Sequence, residues 1–362
     1  MKLLRSPQLA LLLTLGWMGP ASPSILAASQ DAPAPAFDRR PWFHLEGGFQ
    51  TDDQPLQSQS IGGKVGRYLT PQSVLELSGS RALYTLETGK EEILPVEIRY
   101  LEWWESGAMV EGRMGAVHAL DRWIWTGQVG VGTTFGKGWK GRVEWNRALS
   151  LHTEASLREP VVPHTARALL TLDQDGWLGE IGAAQESYPD QNLKRQLFFW
   201  LTAPLLQLPS AQLGLGYAGS AQDSRQSRFT PVKKTPGGGV GPPVWEGRYA
   251  PYYTPLEWRT HSVTGYGWLD LLPGLQVSLN GRWTALGREL RPVLLSIGAP
   301  GGSPAEGDRP QVAFAPADIH PWEVRLGLRL GLSSRTALHA EGRHLSHPWY
   351  DATAFHLSLR HQ

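Results

Sequence analysis

The sequence predicts an all-β fold: a single antiparallel transmembrane β-barrel of about sixteen strands. The barrel is expected to follow a cleaved signal peptide. Three observations lead there. The first is composition: the 362 residues include 41 Gly and 16 Trp but no Cys, with a net charge of +1. The glycines are scattered, so a low-complexity tract is not the cause. The second is a hydrophobic period of two that recurs along the chain. The third is a sorting of connectors, with short turns alternating with mostly longer polar loops. Lack of Cys excludes a zinc–cysteine site, an iron–sulfur cluster and a thiol nucleophile. A charge this close to zero sets up no field toward nucleic acid, so no nucleic-acid partner is expected.

Met1–Arg5 is basic, and Leu9–Gly19 is a short apolar core. Ile25–Ser29 ends in small residues suited to signal peptidase. Residues 1–29 are therefore expected to be a signal peptide and 30–40 a short periplasmic linker, with the barrel over 41–362. The absence of Cys after the apolar core excludes lipoprotein processing. No later segment approaches the roughly 20 apolar residues of a membrane helix. In a membrane, the exported chain would have to be a barrel.

The strands show themselves by alternation. Leu275, Val277, Leu279 and Trp283 share one face, opposite Gln276, Ser278, Asn280 and Arg282. Val324, Leu326, Leu328 and Leu330 oppose Arg325 and Arg329. Phe355, Leu357 and Leu359 oppose His356, Ser358 and Arg360. Trp123, Trp125, Val129 and Val131 fall together. A soluble sandwich alternates as well, so the connectors decide. Short turns are expected at Thr70–Ser73, Glu105–Gly107, Gly136–Trp139, Asp173–Gly176, Leu208–Ser210, Leu272–Gly274 and Ser333–Arg335. Longer connectors are expected at Asp52–Ser60, Glu154–His164, Gln226–Pro255 and Leu286–Pro321. A sandwich has no reason to sort loops by parity, whereas an outer-membrane barrel does. Trp42, Phe43, Trp103, Trp104, Trp139, Trp177, Trp200, Trp268, Trp322, Trp349 and Tyr350 lie near predicted strand ends and suit interfacial girdles.

A long loop containing Tyr249-Ala250-Pro251-Tyr252-Tyr253-Thr254-Pro255 enters a late strand, and the chain closes on Tyr350–Arg360. In these features it resembles the C-terminal outer-membrane barrels of exopolysaccharide-export proteins, the cellulose-secretion protein and the poly-N-acetylglucosamine porin. The resemblance spans roughly Pro41–Gln362 and implies an export channel in the outer membrane of a Gram-negative-type bacterium. Those proteins carry a periplasmic array of helical repeats before the barrel, and only Gln30–Arg40 stands in that place here. A separate periplasmic scaffold or synthase complex is therefore expected as a partner, beside outer-membrane lipid and the passing polysaccharide. The residues themselves also leave open a general or solute-selective porin, or a structural barrel.

No enzyme is expected. Gly136–Gly141 lacks the Gly-Lys-Ser/Thr of a phosphate loop, and no Gly-x-Ser-x-Gly is present. His339 and His356 alternate inward on neighbouring strands without a completing carboxylate pattern, so they read as lumen residues and not as metal ligands. No catalytic residue, metal or cofactor is expected. The expected lumen-lining residues are Glu97, Arg99, Arg142, Glu144, Arg282, Arg325, Arg329, Glu341, Arg343 and Arg360, with Glu323 beside them. Such a mixture of signs suits a neutral or weakly charged polymer. Trp245, Tyr249, Tyr252 and Tyr253 are expected at the rim, where flat rings with polar tips suit sugar stacking. Val232–Pro243 reads as a mobile lid, and two long loops are expected to gate the outer mouth.

Overall fold

The computed structural model describes residues 41–52, 57–86, 89–151, 154–234, 244–295 and 310–361. The signal peptide and linker lie outside the described residues, as do 235–243 of the expected lid and 296–309 of the Leu286–Pro321 connector. The first eleven strands are β1 (Trp42–Asp52), β2 (Gln57–Thr70), β3 (Ser73–Leu86), β4 (Gly89–Trp103), β5 (Ala108–Ala119), β6 (Arg122–Phe135), β7 (Trp139–Arg147), β8 (His164–Gln174), β9 (Trp177–Ser187), β10 (Leu193–Leu208) and β11 (Ala211–Ser224). A short helix, α1 (Glu154–Arg158), precedes β8. Next comes a separate hairpin of β12 (Phe229–Lys234) and β13 (Val244–Tyr249). The rest are β14 (Trp258–Leu272), β15 (Leu275–Leu295), β16 (Gln311–Asp318), β17 (Trp322–Gly331), β18 (Thr336–His347) and β19 (Tyr350–His361).

Every neighbouring pair in the wall is antiparallel, and β1 pairs with both β2 and β19, so the sheet closes. Seventeen strands belong to it. The lower half of β15 pairs with β17 and its upper half with β16, so β16 and β17 form one interrupted return strand. The closed wall thus has sixteen strands, as expected. Closure leaves no edge, so each strand's backbone groups are paired around the ring.

One face of each strand carries exposed apolar side chains. Trp123, Trp125, Val129 and Val131 on β6, Leu197, Phe199 and Leu201 on β10, and Leu326 and Leu328 on β17 are all exposed. A soluble protein would not leave a belt of that extent in water. Many of their alternate neighbours, such as Gln128, Gln196, Thr202, Arg325 and Arg329, are polar, so the apolar face meets lipid and the other face lines the interior. Trp104, Trp139 and Trp177 are exposed near the turn-bearing end and fit the girdle. Trp200 and Trp268 do not. Trp200 alternates with the lipid-facing Phe199 and Leu201 and is buried inside, packed with Leu178, Ala218 and Tyr266. Trp268 also faces in, donating from Nε1 to Gln212 Oε1 at 3.0 Å.

All seven expected short turns are present at one end of the barrel. Several need a backbone that favours glycine: Gly107, Gly138, Gly176 and Gly274 have φ between +75° and +86°. Three connectors at the other end depart from expectation. The first is shorter, with β2 starting at Gln57. The second contains α1, whose five residues carry no clear periodic signal. The third is largely a continuation of the wall, since β15 runs on for 21 residues and β16 pairs with it from Arg288 to Leu295. Alternating apolar residues at Leu290 and Phe314 hide there among Pro and Gly.

Candidate functional site: the lumen wall and the outer mouth

The interior wall carries a ladder of ion pairs that runs around the ring. Arg99 on β4 donates from Nη1 to Glu76 of β3 at 2.9 Å and from Nε to Glu111 of β5 at 2.8 Å. Glu111 is fully buried and also accepts from Arg113 Nε at 2.6 Å and Arg142 Nη2 at 2.9 Å. Arg142 is on β7, so its side chain crosses β6 to reach Glu111. Gly130 makes that possible. It sits in register between Glu111 and Glu144, and a Cβ there would stand 3.2 Å from Arg142 Nη2. Arg142 Nε also donates to Glu144 at 2.8 Å. Arg167 on β8 then lies 4.0 Å from Glu144 and 3.8 Å from Glu180 of β9. Four expected lumen residues, Glu97, Arg99, Arg142 and Glu144, belong to this ladder, with Glu97 3.6 Å from Arg113. Glu76, Glu111, Arg113, Arg167 and Glu180 were not anticipated. The Glu111-x-Arg113 spacing, between Val110, Gly112 and Met114, carried the same period-two signal, diluted by glycine.

The other expected residues occupy β15–β19, again opposite the exposed apolar face. Arg282 donates to Ser262 Oγ at 3.1 Å and Thr260 Oγ1 at 3.3 Å. Arg325 and Arg343 both approach Glu323 Oε1, at 2.6 and 2.7 Å. Arg329 stands in register with His339, Glu341 with His356, and Arg360 with His44.

The outer mouth is crossed by protein. Residues 148–151 and 154–163 of the β7–β8 connection fold inward, so that Leu149, Leu151 and Leu157 pack on Tyr84, Ile93, Val117 and Ile124, the inward residues of β3–β6. Residues 225–234 and 244–257, which contain the β12–β13 hairpin, reach the opposite way. Tyr253 meets Trp258 and His347 edge-on, and Tyr249 meets Trp349 at 5.1 Å. Tyr253 Oη and Trp349 Nε1 both donate to the buried Glu289, at 3.1 and 3.4 Å. These partners face inward or sit at the β18–β19 turn, so the strap lies within the mouth. Its other side meets the β9–β10 connection. Tyr252 stacks on Tyr188 at 3.8 Å and donates to both Asp190 oxygens, at 2.9 and 2.8 Å. Arg228 Nη2 adds an ion pair to Asp190 at 2.6 Å. Burial pushes the Tyr188 phenol well up and that of Tyr252 up to about 12. Val161 joins the two tyrosines, so the two inward loops meet there. Together they cover an arc from β3 to β18.

Of the four expected rim aromatics, the structure brings Tyr249, Tyr252 and Tyr253 together in this packing. Tyr252 is only 1 % exposed, with its ring and hydroxyl taken up by Tyr188 and Asp190. Trp245 lies apart, half-buried on β13 opposite Lys233.

A closed sixteen-strand wall with a lipid-facing belt and a charged interior defines a transmembrane β-barrel of the outer-membrane type. No protein-family model and no curated protein matches the chain. Among solved structures it is similar to a bacterial polysaccharide outer membrane secretin, with a TM-score of 0.62 and 10 % identity over 90 % of this chain and 100 % of that one. Weaker matches include OmpT of Vibrio cholerae, with a TM-score of 0.39 and 9 % identity over 91 % of this chain and 99 % of that one. OccK11 of Pseudomonas aeruginosa matches with a TM-score of 0.41 and 13 % identity over 89 % and 95 %. At these identities the likeness is one of fold.

Proposed function

We propose that this outer-membrane channel exports a polysaccharide, cellulose or a related exopolysaccharide, and does no chemistry on it. The observation that carries the reading is the sidedness of the pore. Among the described residues one end has only short turns, and the other is spanned by two inward loops that meet at Val161 and Tyr252, beside Tyr188. That is the arrangement of an entrance kept open and an exit kept shut until something arrives. The exit is held by stacking and hydrogen bonds, which an emerging chain can displace. An even strand number puts both described ends of the wall on the short-turn side, which would be the periplasm. The solved polysaccharide secretin supports the same reading by its fold. Trp245, on the hairpin, is the ring best placed to meet a leaving sugar, while Tyr252 first has to leave its stack. Delivery from a separate periplasmic scaffold or synthase complex would occur at the short turns. A porin would need a mouth open at rest.

The test has two arms. Deletion of the gene should remove polymer from the cell surface while leaving its synthesis intact. The purified barrel should conduct little in a planar bilayer until the strap is loosened. Surface polymer unchanged by deletion would end the export reading.

A further inference from the structure

The interior sorts its charges by side. From β3 to β9, Arg99, Arg113, Arg142 and Arg167 interleave with Glu76, Glu97, Glu111, Glu144 and Glu180, and each arginine has a glutamate within 4.0 Å. From β15 to β19 the balance reverses: Arg282, Arg325, Arg329, Arg343 and Arg360 are set against Glu323 and Glu341. Arg325 and Arg343 are direct cross-strand neighbours. Like charges so placed repel, and the single Glu323 Oε1 shared between them cannot neutralise both. Arg282 is held by the uncharged hydroxyls of Ser262 and Thr260. Glu323 stands opposite Arg282 in register but is already shared by Arg325 and Arg343, and Arg329 stands between Gln276 and His339. Glu46 on β1, the next acid along the wall, is already approached by His44 at 3.5 Å, and by Lys64 and His356 at 3.9 Å. Higher on the same arc, Glu289 and Arg291 offset each other at 3.2 Å. The mixed wall expected from sequence is thus a compensated arc, β3 to β9, facing a shorter arc, β15 to β19, with surplus positive charge.

We propose that the β15–β19 arc is an anion-binding stripe, and that the exported polymer is not cellulose itself but an exopolysaccharide bearing carboxylates on its sugars. This rests on the export reading and names the substrate class for it. A guanidinium fork fits a carboxylate by paired hydrogen bonds. Low-dielectric walls focus the field of the surplus, so an acidic chain is drawn along this side. The compensated side offers it no net attraction. Spacing along the barrel axis, from Arg282 and Arg325 down to Arg329, gives a sliding chain successive weak sites. A single strong site would hold it in place.

The test uses the full chain folded in detergent. Oligogalacturonate and a cello-oligosaccharide of equal length are titrated calorimetrically at low and high salt. The acidic oligomer should bind at least about tenfold tighter, with the advantage shrinking as salt screens it. The double variant Arg282→Gln/Arg329→Gln should lose the advantage, and Arg67→Gln, on the outer face of β2, should keep it. Heat-modifiable gel mobility checks that each variant is a folded barrel. Equal affinity for the two sugars, no binding of either, or an advantage that survives in the double variant overturns the proposal. Its failure is separable from that of the export reading. A neutral surface polymer lost on gene deletion removes only the acidic stripe. A surface polymer that persists removes export, whatever the oligomers show.

Discussion

Tyr188 and Tyr252 lie face to face, ring centroids 3.8 Å apart and planes within 5°. They belong to different connections, one between β9 and β10 and the other between β11 and β14. Their contact therefore joins two parts of the mouth that the backbone leaves independent. An aromatic pair of this kind contributes about 0.5–1.5 kcal/mol beyond its buried area. The hydrogen bonds to Asp190 add to it.

Tyr252→Ala should open the exit without unfolding the wall. The expected result is a rise in single-channel conductance with unchanged heat-modifiable mobility. Tyr252→Phe keeps the stack and loses the bonds to Asp190, so its conductance should lie between the two. Wild-type conductance in the alanine variant would show that the strap is held elsewhere.

Alkali should act on the same contact. A free tyrosine ionises near pH 10, and burial pushes Tyr252 up to about 12, with Asp190 among the groups that raise it. The folded loop therefore favours the neutral phenol. Its contribution is fully present below pH ~10 and is lost as pH rises through about 12. Conductance recorded across that window should climb in the wild type, and Tyr252→Phe should lack this component.

Glu111→Gln should be among the most damaging changes in the wall. Arg99, Arg113 and Arg142 all converge on that carboxylate. Removing one partner of a buried ion pair costs roughly 3–5 kcal/mol, because the charge left behind is uncompensated. Urea unfolding in detergent or lipid, followed by tryptophan fluorescence, should show the midpoint falling. A wild-type midpoint would mean that water or counterions already serve these arginines.

Gly216→Ala should strain the barrel far from any charge. A Cβ there would come within 2.6 Å of Thr202 Cα and closer still to the Leu201 carbonyl oxygen. Backbone atoms cannot swing away as a side-chain tip can, so β10 and β11 would have to part. A cost of about 1–3 kcal/mol is expected from such overpacking. Slower folding into vesicles would report it.

The wall was legible because lipid and lumen impose a strict period of two, which survives in strands such as Leu275–Trp283. Six of the seven short turns were legible because tight reversal favours Gly, Pro or Asp, and the seventh, Ser333–Arg335, by its paired serines. The mouth was not. Leu149, Leu151 and Leu157 look like any loop leucines until the chain folds back onto Tyr84 and Ile93. The strap tyrosines were noticed as rings, but a ring's composition does not say whether it awaits a sugar or another tyrosine. The segregation of charge was hidden for a similar reason. Alternation tells which residues face inward, but not that Arg142 passes over Gly130 to reach an acid two strands away, or that Arg282 donates to the hydroxyls of Ser262 and Thr260.

That passage over Gly130 has a mechanical meaning. A cask resists bursting through its hoops, not its staves, and the ion pairs from β3 to β9 run in the direction of a hoop. From β15 to β19 the tie from Arg343 to Glu323 is shared with Arg325, and the two neighbouring arginines push apart. If a bulky chain strains the cask, the girth should grow on the arginine side. Amide hydrogen exchange during transport would then quicken in β17–β19 while β4–β7 stay protected.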